Sequence, residues 1–216
     1  MENKLEHIVY SRNVIEFVTV SSEYCVFIEE INSCTKKQFV QKAQKLLPLL
    51  YLKGTLIPRL ENECEDVIEK YVTEDIWQNT ETRIKSKLGK HNDYIEVFDP
   101  DIDYSETPVP ASISENMADI YQDMKDFIVL YRIGTTEIMN DALLECRQNF
   151  EQYWGQKLLN ALRAIHNIVY NIDWTEEETE TESTDYTKSS LENIDTSNWI
   201  INRMQQQYRE NEEEDK

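Results

Sequence analysis

From Glu137 to Ile172 the apolar residues Met139, Leu143, Cys146, Phe150, Trp154, Leu158, Ala161, Ile165, Ile168 and Ile172 recur at steps of three and four, which stacks them on one face of a helix. No other feature restricts the fold as strongly, since a helix of this length needs a bundle to cover it. Met139, Phe150, Ala161 and Ile172 stand eleven apart, a period near the natural twist of an α-helix, so the spacing predicts one nearly straight helix. A second wedge of Leu144, Leu159, Leu162, Val169 and Tyr170 leaves little polar circumference in the later turns, which predicts that neighbours wrap them.

The remaining face carries Asn149, Gln152, Gln156, Asn160, Arg163 and Asn167. Amides in place of the usual Glu and Lys either bond a neighbouring helix or loop, or form the polar wall of a ligand cleft oriented by Arg163. Gly155 lies inside the helix, where it costs about 1 kcal/mol relative to Ala, and so predicts a close approach of another helix or a ligand to the backbone.

Ile113 to Ile133 forms a second helix, with Met117, Ile120, Tyr121, Met124, Phe127, Ile128 and Tyr131 on one face and a capping-box spacing at Ser112 and Glu115. Gly134 ends it, and the short link to the next helix predicts an antiparallel hairpin. Glu115, Asp119, Asp123 and Asp126 follow one edge of that hairpin. Such a row is ordinarily a solvated face; as a metal half-site it would offer Asp119 and Asp123, but the Glu-x-x-His pair of di-iron bundles is missing.

The N-terminal half reads as further helices. Val14, Phe17, Ser21, Tyr24, Ile28 and Ile31 mark the first, and Thr35 with Gln38 caps the second, in which Pro48 is expected to kink or end the run LLPLLYL. A short helix is expected around Leu60 to Tyr71, and a firmer one from the Thr73 cap to Leu88 and Gly89. Lys90 to Ala111, with three Pro, reads as a long irregular loop of the kind that is often functional. Its Asp99, Asp101 and Asp103 are candidate ligands of a non-standard cation site, since an EF-hand would need Gly at Tyr104 and Glu at Pro110. His166, on the apolar wedge, is expected to be a hydrogen-bonded core residue.

Composition narrows the functional classes. Only four Gly and five Pro argue against an all-β fold, and the expected class is all-α, a helical bundle built around the hairpin with an acidic C-terminal tail. Of the net charge of −20, residues 1–172 contribute 28 acids against 18 bases and residues 173–216 contribute 14 against 4, so the bundle and the tail each carry half. That surface disfavours nucleic acid and anionic membranes and suits a basic protein partner. Walker, G-x-S-x-G and G-x-G-x-x-G signatures are missing, and no cofactor is implied. The N-terminal MENKLEHIVY has no signal-peptide core, and Cys25, Cys34, Cys64 and Cys146 are spaced like reduced thiols, so the expected setting is the cytoplasm. Beyond residue 172, a polar linker leads to Trp199, Ile200, Met204 and Tyr208, whose helical spacing predicts a short amphipathic helix that either folds back onto the bundle or serves a partner groove, which makes these four the candidate partner-binding residues.

The stretches LLPLLYLKG, MADIYQDMKDF and NFEQYWGQKLLNALRAIH resemble DUF5063, a bacterial domain of unknown function, across roughly Ile8 to Ile172. The resemblance implies a helical bundle of bacterial, cytoplasmic origin and transfers no catalytic residue. The expected role is a non-catalytic protein-interaction or regulatory module, with a metal-dependent enzyme working on a small polar substrate through its Asp and Glu clusters as the alternative.

Overall fold

A computed structural model describes residues 7–63, 70–96, 110–172 and 174. The helices are α1 (Arg12–Glu29), α2 (Lys36–Thr55), α3 (Glu74–Leu88), α4 (Ile113–Ile133), α5 (Thr136–Asn149) and α6 (Gly155–Asn171), with a π-helical turn, Phe150–Trp154, joining the last two. The fold is the expected all-α bundle. Helix α4 sits at its centre, packed against α1, α3, α5 and α6, while α2 lies along α6.

Local signals set most boundaries. The Ser112 side chain accepts from the Glu115 N–H at the start of α4, and Gly134 closes it in the left-handed conformation at φ 85°. Thr35 and Gln38 form a reciprocal capping box on α2, and Thr73 caps α3. Together these residues satisfy amide groups that no intrahelical bond can reach.

Four expectations are revised. Of the two outcomes expected at Pro48, a kink or an end, the end is excluded, since helix α2 runs through Pro48 to Thr55. Asp93–Ile95 (β1) and Pro110–Ser112 (β2) pair antiparallel, in register Tyr94 with Ala111, at the two ends of what reads as an irregular loop. The second apolar wedge along α6 is not fully wrapped, since Leu159 and Tyr170 are 43% and 65% exposed. His166 is exposed with them and rests on the Tyr170 ring, 4.6 Å between centroids, so it is not a core residue. The helix expected between Leu60 and Tyr71 lies largely outside the described residues.

The fifth revision concerns the long helix itself, which is continuous in course but not uniform. Cys146, Phe150, Trp154 and Leu158 are separated by three successive steps of four. On a regular α-helix each such step drifts about 40° round the axis, roughly 120° in all, and would carry Leu158 off the core. The π-turn takes up that drift with its wider i to i+5 bond, and Trp154, Leu158, Ala161, Ile165 and Ile168 all stay buried. Trp154 is fully enclosed, its indole N–H donating to the Cys146 carbonyl at 2.9 Å and its ring facing Phe17 and Phe150.

Two glycines make that turn possible. The Gly155 N–H reaches the Phe150 carbonyl, and a Cβ on Gly155 would stand 2.5 Å from that oxygen. The close neighbour of Gly155 is therefore its own helix, neither a second helix nor a ligand. On α2, a Cβ on Gly54 would meet the Trp154 ring at 2.9 Å, so this glycine lets α2 close over the aromatic turn. The likeness-bearing stretches LLPLLYLKG and NFEQYWG thus meet physically.

Candidate functional site

The carboxylate row of α4 is the chemically richest part of the described molecule, and it is not a solvated face. Asp119 and Asp126 are each 8% exposed and Asp123 is half-buried; of the four, only Glu115 stands in water. Three steps of four, four and three place the row beside α3, α5 and the π-turn, whose polar groups meet it.

At its N-terminal end Asp119 is saturated. Its Oδ1 accepts from Trp77 Nε1 at 2.8 Å, and its Oδ2 accepts from the Tyr153 hydroxyl at 2.9 Å and from the Lys157 ammonium. Lys157 also lies 4.5 Å from the centroid of the Tyr153 ring. Burial alone would lower the Lys157 pKa, but its bonds to Asp119 and Tyr153 outweigh that and raise it. The Tyr153 hydroxyl is held above its usual range, chiefly by burial. One carboxylate therefore ties α3, α4, the π-turn and α6 together.

One turn on, Asp123 has less support. Asn149 Nδ2 donates to its Oδ1 at 2.6 Å, and burial pushes the Asp123 carboxyl up to about 6, against the pull of Asn149 and Lys70 and with the push of Asp126 and Asp119. Asp126 accepts the backbone N–H groups of Tyr71 and Val72 at 2.8 and 2.7 Å; burial still leaves its pKa raised. Lys70 bonds Glu145 at 2.9 Å, which raises the lysine pKa. These side chains line a cleft over Phe127, Leu130, Ala142 and Cys146, partly open to solvent. Three carboxylates face one ammonium across an apolar floor.

The remaining candidates are dispersed. In the amide ladder, Asn149 holds Asp123 and Asn160 donates to Glu96 at 2.9 Å, whereas Gln152, Gln156 and Arg163 are exposed. Of the ladder, Asn149 lines the cleft between α4 and α5. Asp119 and Asp123 sit on one face of α4 but have different partners, and among the described residues no group of three His, Cys, Asp or Glu is arranged to hold a metal ion. Asp99, Asp101 and Asp103, like Trp199, Ile200, Met204 and Tyr208, lie outside the described residues. Sequence reasoning missed Trp77, Tyr153 and Lys157 as partners of Asp119, and Glu145 and Lys70 as the cleft's second wall. The Tyr153 and Lys157 pair, at i and i+4, was the available signal for the first group. It also missed Asn140 and Asp141, which hold the chain at Glu61 and Glu63.

Among the described residues no helix is long and apolar enough to cross a membrane. The family described as a domain of unknown function, DUF5063, matches residues 8–171. The crystal structure of protein BF1032 from Bacteroides fragilis is 40% identical, with a TM-score of 0.69, and the match covers 77% of this chain and 98% of that one. No curated protein matches the chain.

Proposed function

The chain belongs to the DUF5063 family, and on that footing we propose that it is a non-catalytic binding module that takes a cationic side chain of a protein partner into the cleft between α4 and α5. The observation that carries this reading is the imbalance in the cleft, where Asp123, Asp126 and Glu145 face Lys70 over an apolar floor. An arriving guanidinium or ammonium at the mouth of the cleft would restore the charge balance at Asp123. The net charge of −20 draws a basic partner towards the same surface. Asp119, whose oxygens are already occupied by three donors, serves the fold.

A bacterial cytoplasm is the setting that goes with this reading. Cys25, Cys34 and Cys146 are free thiols, which suits a reducing compartment.

The test is titration of the full chain with an arginine-rich peptide, compared between an Asp123→Asn, Glu145→Gln pair in the cleft and a Glu30→Gln, Glu137→Gln pair at exposed positions of equal charge. Cleft binding weakens about tenfold in the first pair and less than about twofold in the second. Equal weakening in both pairs would mean diffuse attraction to an acidic surface and would sink the proposal.

A further inference from the structure

The cleft between α4 and α5 already holds a cation of the protein's own. Lys70 Nζ lies 2.9 Å from Glu145 Oε1, and its charge favours the ionised forms of Asp123 and Asp126. Local geometry delivers it there. Asp126 accepts the backbone N–H groups of Tyr71 and Val72, and the Val72 side chain is buried, so the two residues after Lys70 are tied to a carboxylate of the cleft itself. The lysine side chain is held less firmly than the backbone that carries it. Lys125 and Lys157, the other ammonium groups beside this row, have side chains 19% and 29% exposed, and each also lies over a tyrosine ring. The Lys70 side chain is 50% exposed and its partner Glu145 40%, which makes this a weak surface pair.

We infer that Lys70 is an internal stand-in for the partner's cation, displaced when the partner binds, and that this competition makes the cleft a site for a guanidinium in preference to an ammonium. The inference rests on the reading of the cleft given above and names its competitor and its ligand class. An incoming ammonium would exchange like for like. It would make with Glu145 the bond that Lys70 makes already, and would do so from free solution, whereas Lys70 is tethered beside the carboxylate at high effective concentration. A guanidinium offers more, because its planar fork bonds both oxygens of one carboxylate at once. Among the described residues Glu145 and Asp123 each have one oxygen bonded, Oε1 by Lys70 and Oδ1 by Asn149, so each has a second oxygen to give. Displacement of Lys70 is cheap, since its ammonium is already partly hydrated and moves into water on a flexible stem while Tyr71 and Val72 stay on Asp126.

Its test uses the full chain and two peptides of equal charge, one arginine-rich and one lysine-rich, read by fluorescence anisotropy. The arginine peptide binds about tenfold tighter. Lys70→Met tightens both peptides about fivefold, because the competitor is gone. Lys70→Arg keeps the charge but weakens both, since its own fork grips Glu145 more firmly. Lys85→Met removes a lysine that is paired with Glu81 on α3 and does not line the cleft, and it shifts neither peptide by more than about twofold. Both lysines are exposed, so circular dichroism and the melting midpoint stay as in the parent chain. Equal affinity for the two peptides, no gain in Lys70→Met, a Lys70→Arg chain that binds as tightly as the parent, or a Lys85→Met gain that matches Lys70→Met would overturn the inference. Failure of the cleft reading is distinct, because the Asp123→Asn, Glu145→Gln pair and the Glu30→Gln, Glu137→Gln pair would then weaken binding alike. No binding by the parent and by Lys70→Met would overturn both.

Discussion

Asp119 and Asp123 stand one turn apart on α4, in the same row of carboxylates, and the bundle treats them differently. Asp119 is the more buried of the two and has a donor for every direction: an indole N–H, a phenol and an ammonium. Asp123 has one amide and a neighbourhood of further carboxylates, and its carboxyl is pushed up to about 6. Burial by itself therefore says little about role. What separates a structural carboxylate from one open to a ligand is the number of donors already committed to it.

Four substitutions would sharpen or break that contrast. The largest effect belongs to the aromatic turn on which Asp119's partners ride: Trp154→Ala is expected to destabilise by about 3–5 kcal/mol in urea titration, since it empties a fully enclosed site. A loss under about 1 kcal/mol would mean that the turn is not anchored by its core face. Gly155→Ala comes next, at about 2–3 kcal/mol, because the new Cβ would press on the Phe150 carbonyl unless the π-turn is abandoned. Asp119→Asn is expected to cost about 2 kcal/mol, as Lys157 and two neutral donors lose a charged acceptor; Lys157 is partly hydrated, which limits the loss.

The smallest effect has the opposite sign. The Asp123 carboxyl has a folded pKa above its unfolded value, so its charge opposes folding at neutral pH. As pH falls through 6 the folded state takes up a proton that the unfolded state does not yet bind, and stability rises by about 1 kcal/mol until the unfolded carboxyl is protonated in turn. Asp123→Asn is therefore expected to be neutral or stabilising by up to about 1 kcal/mol at pH 7, and to lessen the gain between pH 7 and 5. Urea midpoints at the two pH values measure both. If Asp123→Asn proved as costly as Asp119→Asn, the two carboxylates would be equivalent structural groups and the contrast would fail.

Much of the architecture was legible from residue spacing. The bounds of α4 follow from Ser112, Glu115 and Gly134, those of α3 from Thr73 and Gly89, and the burial of Trp154 from its stripe, because helix ends and core faces depend on groups within a few residues of one another. The π-turn was also encoded, in the successive steps of four from Cys146 to Leu158, but the eleven-residue period suggested a uniform helix. A glycine at position 155 signals a close approach but not its source, which is the carbonyl of Phe150 in the same helix. The candidate site was far less legible. A row of Asp at i, i+4 and i+7 looks the same whether it faces water or another helix.

The chain's local chemistry by itself determined an all-α bundle, the caps, the α4–α5 hairpin and the acidic balance, since each rests on short-range geometry or on composition. Which carboxylate receives three donors and which receives one was decided by assembly. Trp77, Tyr153 and Lys157 lie 42, 34 and 38 residues from Asp119, and no periodicity within α4 specifies what long-range packing brings opposite it. The same holds for α2, whose inward and outward leucines are adjacent in LLPLLYL. Only packing against α1 and α6 buries Leu47 and Leu50 and leaves Leu49 and Leu52 facing outward.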